Sequence, residues 1–237
     1  MSTVGSYRGP NIVTKGLVLH LDAASPNSYY SPNGGTVWKD VSGNGNDGTL
    51  VNGTTFADDS FDFDGSNDYI LTGITQSFAT TDFTLEAWVY PEFSSATYGR
   101  PIMTKNTTGG CGVYDFALEY GRNANKFDLI ADGGSASPGL FSTSLSPFNW
   151  YHVVATRKQI GASTYDVKLF VNNNLEDSAT GNYTGGNGGA VVIGAFGNCS
   201  PVGEWLGSIT IANIYNRALT AQEVLQNFNS TKDRFGL

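Results

Sequence analysis

The stretch with the most chemistry in it is Asp40 to Gly48, DVSGNGNDG. It sets oxygen-bearing side chains at Asp40, Ser42 and Asn44 ahead of Gly45, as an EF-hand calcium loop begins. The pattern then fails. Its twelfth position, where a bidentate glutamate belongs, is Val51, and the flanks read as strands instead of helices. Asn and Gly here more simply supply left-handed backbone, with Asp40 or Asn44 closing Asx turns on nearby N–H groups. Asp40 is retained as a candidate metal ligand. A glycosidase needs two carboxyls at a fixed separation. Asp115 and Glu119, on one side of YDFALEY, are the best acidic pair available, against a plain solvated strand face as the alternative. The two histidines, His20 and His152, lie in strand-like segments, where a half-buried ring hydrogen-bonded on a sheet is the usual outcome. No G-x-S-x-G, H-E-x-x-H or P-loop occurs, so no catalytic residue is assigned and an enzyme is not expected.

Cys111 and Cys199 stand in the Gly-rich loops TTGGCGVY and FGNCSPVG. They are either two unrelated reduced residues or one disulfide joining two loops at one end of a sandwich. Five N-x-[ST] sequons, at Asn52, Asn106, Asn182, Asn198 and Asn229, reflect the abundance of Asn and Thr. The N-terminal MSTVGSYRGPNIV has neither a charged n-region nor an apolar h-region, so no signal peptide is expected.

These residues have to be positioned by strands. In 237 residues, hydrophobic types are 40%, charged types only 14%, and glycine reaches 30, a composition that suits short strands joined by Gly/Asn turns. A net charge of −8, with no basic cluster longer than Arg157-Lys158, disfavours nucleic acid and anionic membrane as partners. Period-two alternation recurs in GLVLHLDA, SFDFDG, FTLEAWVY, YDFALEY, in Tyr151, Val153 and Ala155, and in Val167, Leu169 and Val171. AVVIGAFG and GSITIANIY complete the set. The expectation is an all-β, two-sheet antiparallel jelly-roll sandwich. One helix is signed by the capping box Thr220/Glu223 and the staple Leu219/Val224, and is placed at about 221–228. Residues 1–16 read as an extended arm, 17–228 as the domain and 229–237 as a tail.

Taken in order, GLVLHLDA, WKDVSGNGNDGTL, SFDFDGSNDYI, FTLEAWVYP, WYHVVAT, VKLFVNNNLEDS, VVIGAFG and IYNRALTAQEV resemble the laminin-G-like jelly roll of the concanavalin A-like lectin/glucanase superfamily. The Glu-x-Asp-x-x-Glu strand motif of laminarinase-like members is absent. The resemblance implies that the loops around the cysteines share a rim. That rim would offer Tyr98, Arg100, Tyr114, Asn198, Glu204 and Trp205 as ligand-binding candidates beside Asp115 and Glu119. The competing reading, that Trp205 and Tyr114 are core or interface aromatics, is the favoured one, since aromatics dominate ordinary cores. It also implies a structural calcium between the first and last strands. Asp22 matches the first half of that site, and Asn213 stands where an aspartate is expected. No cofactor is otherwise required.

The arm YRGPNIVTKGLVLHLDAASPNSY and the ending YNRALTAQEVLQNFNSTKDRFGL are similar to virion structural proteins of tailed, particularly marine, phages. This likeness implies a non-enzymatic capsid-decoration or tail protein located on the virion. Its arm and tail would contact other virion proteins and copies of itself. The alternative is a glycan-binding lectin or adhesin acting on a cell-surface glycan, and a polysaccharide hydrolase or lyase comes third.

Overall fold

Alternating segments become sheets because each buries one face and leaves the other to be covered or solvated. The computed structural model describes residues 11–30, 35–94, 96, 99–106, 114–122, 124–130, 139–182, 188–197 and 203–237. Two antiparallel sheets form among them. The first runs β14 (Asn174–Asn182), β13 (Thr164–Val171), β12 (Tyr151–Gln159), β7 (Phe83–Pro91), β16 (Leu206–Tyr215), β5 (Ser60–Asp64) and β4 (Thr55–Ala57). β1 (Leu17–Asp22) pairs with the second half of β16, whose first half holds β5. The second sheet runs β11 (Leu140–Phe141), β10 (Phe127–Ile130), β9 (Tyr114–Tyr120), β8 (Arg100–Asn106), β15 (Val191–Ile193), β6 (Tyr69–Thr72), β3 (Gly48–Val51) and β2 (Val37–Trp38). The all-β sandwich expected from the alternation is the fold.

The main core lies between the sheets, where Phe61, Leu85, Phe116, Leu118, Val153 and Leu169 are fully buried. Each such side chain contributes roughly 1.5–3 kcal/mol. β16 carries a bulge between Ile209 and Ile211. The extra residue moves Ala212 and Ile214 into the core and turns Asn213 and Tyr215 to the opposite face. At Gly207, φ is +120° and a Cβ would stand 2.1 Å from the Tyr90 carbonyl oxygen, so only glycine lets β16 approach β7 there.

The outer face of the first sheet is covered by α1 (Ala221–Thr231) and a 3-10 turn, Lys232–Phe235. The capping box forms as expected, and Leu219 and Val224 share a second apolar cluster with Val13, Val154, Phe170 and Tyr215. The helix runs three residues past the expected end at 228. Its polar last turn is held by tertiary contacts: Trp88 Nε1 donates to Thr231 Oγ1 at 2.9 Å, and the Phe228 ring stacks on Trp88. Residues 11–16 and 229–235, the described parts of the expected arm and most of the tail, lie on this same face. The Val13 N–H donates to Asn227 Oδ1 at 2.8 Å, and Phe235 stacks on Trp88 with centroids 3.9 Å apart. Apolar burial at Val13 and Phe235 holds both segments against their own sheet. Among the described residues no helix is long and apolar enough to cross a membrane.

Candidate functional site

Glu119, one of the expected acidic residues, is paired across strands with Asp128, which the sequence reading passed over. Glu119 binds Arg122 through two hydrogen bonds, one of them from Nη2 to Oε2 at 3.0 Å. Arg122 Nε stands 3.6 Å from Asp128 Oδ2. Burial, and then the Glu119 charge beside it, push the Asp128 carboxyl well above the usual carboxylate range. Both acids are exposed by 1% or less, so a polysaccharide in solution does not reach them. Asp115 is also fully buried. Its Oδ2 accepts the Phe78 N–H at 2.9 Å and lies 3.9 Å from Lys105 Nζ, whose own value burial pulls down. Asp115 and Glu119 therefore meet separate partners instead of each other, and neither sits on a solvated strand face.

Arg100, Glu204 and Trp205 are brought together, in a corner of the core. Arg100 Nη1 donates to the Glu204 carbonyl oxygen, and its guanidinium lies 4.8 Å from the Phe93 ring centroid. Trp205 is fully buried, edge-on to Phe93 at 5.7 Å. The core reading of Trp205 is the one that holds, because sequestering the whole indole outweighs leaving it on a rim. Tyr114 is buried against Phe196 at 5.6 Å. Tyr98, Asn198, Cys111 and Cys199 lie outside the described residues.

The calcium candidates hold other donors. Asp40 Oδ1 accepts the His20 and Ser42 N–H groups at 3.0 and 2.9 Å. Its Oδ2 accepts the Asn46 N–H at 2.9 Å and the Ser42 hydroxyl at 2.8 Å. The loop is an Asx-turn knot, with Gly43 and Gly45 supplying the positive φ. Asp22 is clamped by Arg234, Nη2 to Oδ1 at 3.0 Å and Nη1 to Oδ2 at 3.1 Å. Asn213 Oδ1 accepts from His20 Nδ1 at 2.7 Å, and its Nδ2 donates to Glu86 Oε2 at 3.1 Å. A cation at any of these oxygens would face N–H hydrogens or a guanidinium, so these residues do not fit a calcium site.

An open site exists elsewhere, on the outer face of the first sheet. A groove of about 290 Å³ is floored by Asp62 of β5, Ser208 of β16 and Tyr90 of β7, and walled by Trp150, Glu92 and Asp58. Asp62 Oδ1 accepts the Ser208 hydroxyl at 2.6 Å, which fixes the carboxylate at the groove floor. Asp58 sits on the β4–β5 hairpin, where Asp58 and Asp59 both take positive φ, the two-residue turn that matches strand twist. Trp150 precedes β12, and its loop is pinned by the Phe148 N–H donating to the Pro91 carbonyl oxygen at 2.8 Å. The indole is half-buried, with Tyr90 at 5.5 Å and 50° on one side and Phe235 at 5.0 Å and 47° on the other. A ridge of aromatic faces beside carboxylates and hydroxyls offers C–H stacking and directed hydrogen bonds together. None of these residues was expected from sequence. The available signal was Trp150 itself, a large aromatic out of phase with the inward Tyr151 and Val153.

A family model described as the concanavalin A-like lectin/glucanases superfamily matches residues 64–225. No curated protein matches the chain in sequence. Among solved structures, Trypanosoma rangeli sialidase in complex with sialic acid is similar at 20% identity, with a TM-score of 0.69 over 92% of this chain and 33% of that one. The receptor-binding domain of botulinum neurotoxin type G gives 16% identity and a TM-score of 0.66 over 90% and 51%. The binding domain of Paraclostridial Mosquitocidal Protein 1 gives 19% and 0.63 over 91% and 52%. The chain thus spans a third to a half of these neighbours, which share its fold. With residues 64–225 inside the family model and the two-sheet sandwich in place, the chain belongs to the concanavalin A-like lectin/glucanases superfamily.

Proposed function

We propose that this chain is a non-catalytic binding module of lectin type, which holds a cell-surface glycan in the groove bounded by Tyr90 and Trp150. The observation that carries this reading is the pairing of a half-buried, groove-lining aromatic wall with a fixed carboxylate, Asp62, on a sheet. The buried state of Asp115, Glu119 and Asp128 supports binding over turnover, since the sandwich's paired acids are withheld from substrate. Structural neighbours named as receptor-binding and binding domains agree with it in kind. A place on a phage particle rests on the resemblance of the chain's two ends alone, and the described parts of both ends are engaged by the protein's own outer face.

A glycan array tests the proposal. Retention of at least one glycan is expected, lost in Trp150→Ala while the circular dichroism spectrum stays that of the parent. Retention that survives Trp150→Ala places the ligand elsewhere, and no retention at all refutes the reading.

A further inference from the structure

Trp150 has a second groove on its far side. It measures about 560 Å³ and is lined by Phe235, Leu237, Leu145, Asn149 and Asn172 as well as by Trp150. The Trp150 ring packs against both Tyr90 and Phe235, with centroid spacings of 5.5 and 5.0 Å, and lines both grooves. The three rings come from β7, the loop before β12 and the 3-10 turn, so the cluster spans elements. The grooves differ in character. The first presents acceptors: the carboxylates of Asp62, Asp58 and Glu92. The second presents amides, hydroxyls and apolar side chains, with Asn172 held in place because its Oδ1 accepts the His152 N–H at 2.9 Å. Among the described residues lining the two grooves there are three carboxylates and no lysine or arginine.

Resting on the binding reading above, we infer that the ligand is an extended, uncharged oligosaccharide, bound along its length with Trp150 as the ridge it crosses. A single terminal sugar would cover one ring and fill one groove. A chain of several residues would touch the half-buried edges of all three rings and place hydroxyl donors against the carboxylates and acceptors against the amides. Sialylated, uronic or sulfated sugars would bring like charge against Asp58, Asp62 and Glu92, with no lysine or arginine among the described lining residues to offset it.

The test is calorimetric titration with neutral oligosaccharides of one to six residues. Gluco-, galacto-, manno- and N-acetylglucosamine series are run beside sialylated and sulfated oligosaccharides of matched length. In at least one neutral series, affinity should rise by about tenfold or more between one and four residues, with the acidic series unbound. Tyr90→Ala and Phe235→Ala, checked for folding by circular dichroism, should each remove part of that gain. Equal affinity for monomer and tetramer overturns the inference. So does an acidic oligosaccharide bound as tightly as its neutral counterpart with dependence on Trp150. Either result leaves the binding reading standing. Failure of every sugar to bind removes that reading itself, and this one with it.

Discussion

At Asp128 and Glu86 the same side-chain chemistry is buried to opposite effect. Asp128 finds no hydrogen-bond donor among the described residues, with Arg122 Nε near but already turned to Glu119. Its folded value is raised by burial, so the unfolded state gives up its proton first and stability falls as pH climbs past the ordinary carboxylate range. Asp128→Asn should therefore be more stable than the parent at pH 7, and the gap should close in acid, as read by urea unfolding at a series of pH values. Glu86 is the reverse case. Burial alone would raise it, but His152 Nε2 at 2.7 Å and the Asn213 and Asn227 amides at 3.1 and 2.8 Å hold it below its ordinary value. That contribution is present above the unfolded carboxylate value and is lost as pH falls through the folded one. Glu86→Ala strands three donors beneath α1 and should cost about 3 kcal/mol or more at pH 7. The acidity of these positions was readable in the sequence. Their opposite environments were not, because Asn227 lies 141 residues from Glu86 along the chain.

The C-terminal elements show where local signals end. The start of α1 was legible because the capping box and staple are contained in six residues. Its extension to Thr231 was not, since NST has no apolar stripe and depends on Trp88 from β7. The bulge in β16 was equally hidden, since an added residue leaves the composition of GSITIANIY unchanged while reversing which side chains face inward. The 3-10 turn supplies Phe235 to the ridge and is fastened by Arg234 to Asp22. Arg234→Ala should speed amide exchange at residues 232–235 and weaken any Trp150-dependent binding, with the unfolding midpoint lowered only slightly, as befits a partly exposed ion pair at the chain's last turn. Gly207→Ala acts on β16 and β7 instead. By forcing a Cβ onto the Tyr90 carbonyl oxygen it should destabilise by about 2 kcal/mol or more in thermal unfolding.

Across the whole molecule, strands were legible since alternation is local, whereas the site is assembled from β5, β7, β16, the loop before β12 and the last turn. Sequence reading looked instead to the loops around the cysteines, whose Gly-rich composition marked them out, and the described aromatics there, Tyr114 and Trp205, are spent on packing. The calcium reading gives a prediction at this scale. With Asp22 and Asp40 already saturated by donors, adding calcium or a chelator should leave the thermal unfolding midpoint within error. The exposure of the tryptophans carries one practical consequence. Trp38, Trp88 and Trp205 are exposed by 1% or less, while Trp150 is half-buried and borders both grooves. A collisional quencher such as acrylamide therefore reaches a single indole, and the protein's intrinsic fluorescence carries a built-in, label-free reporter of whatever settles on that ring.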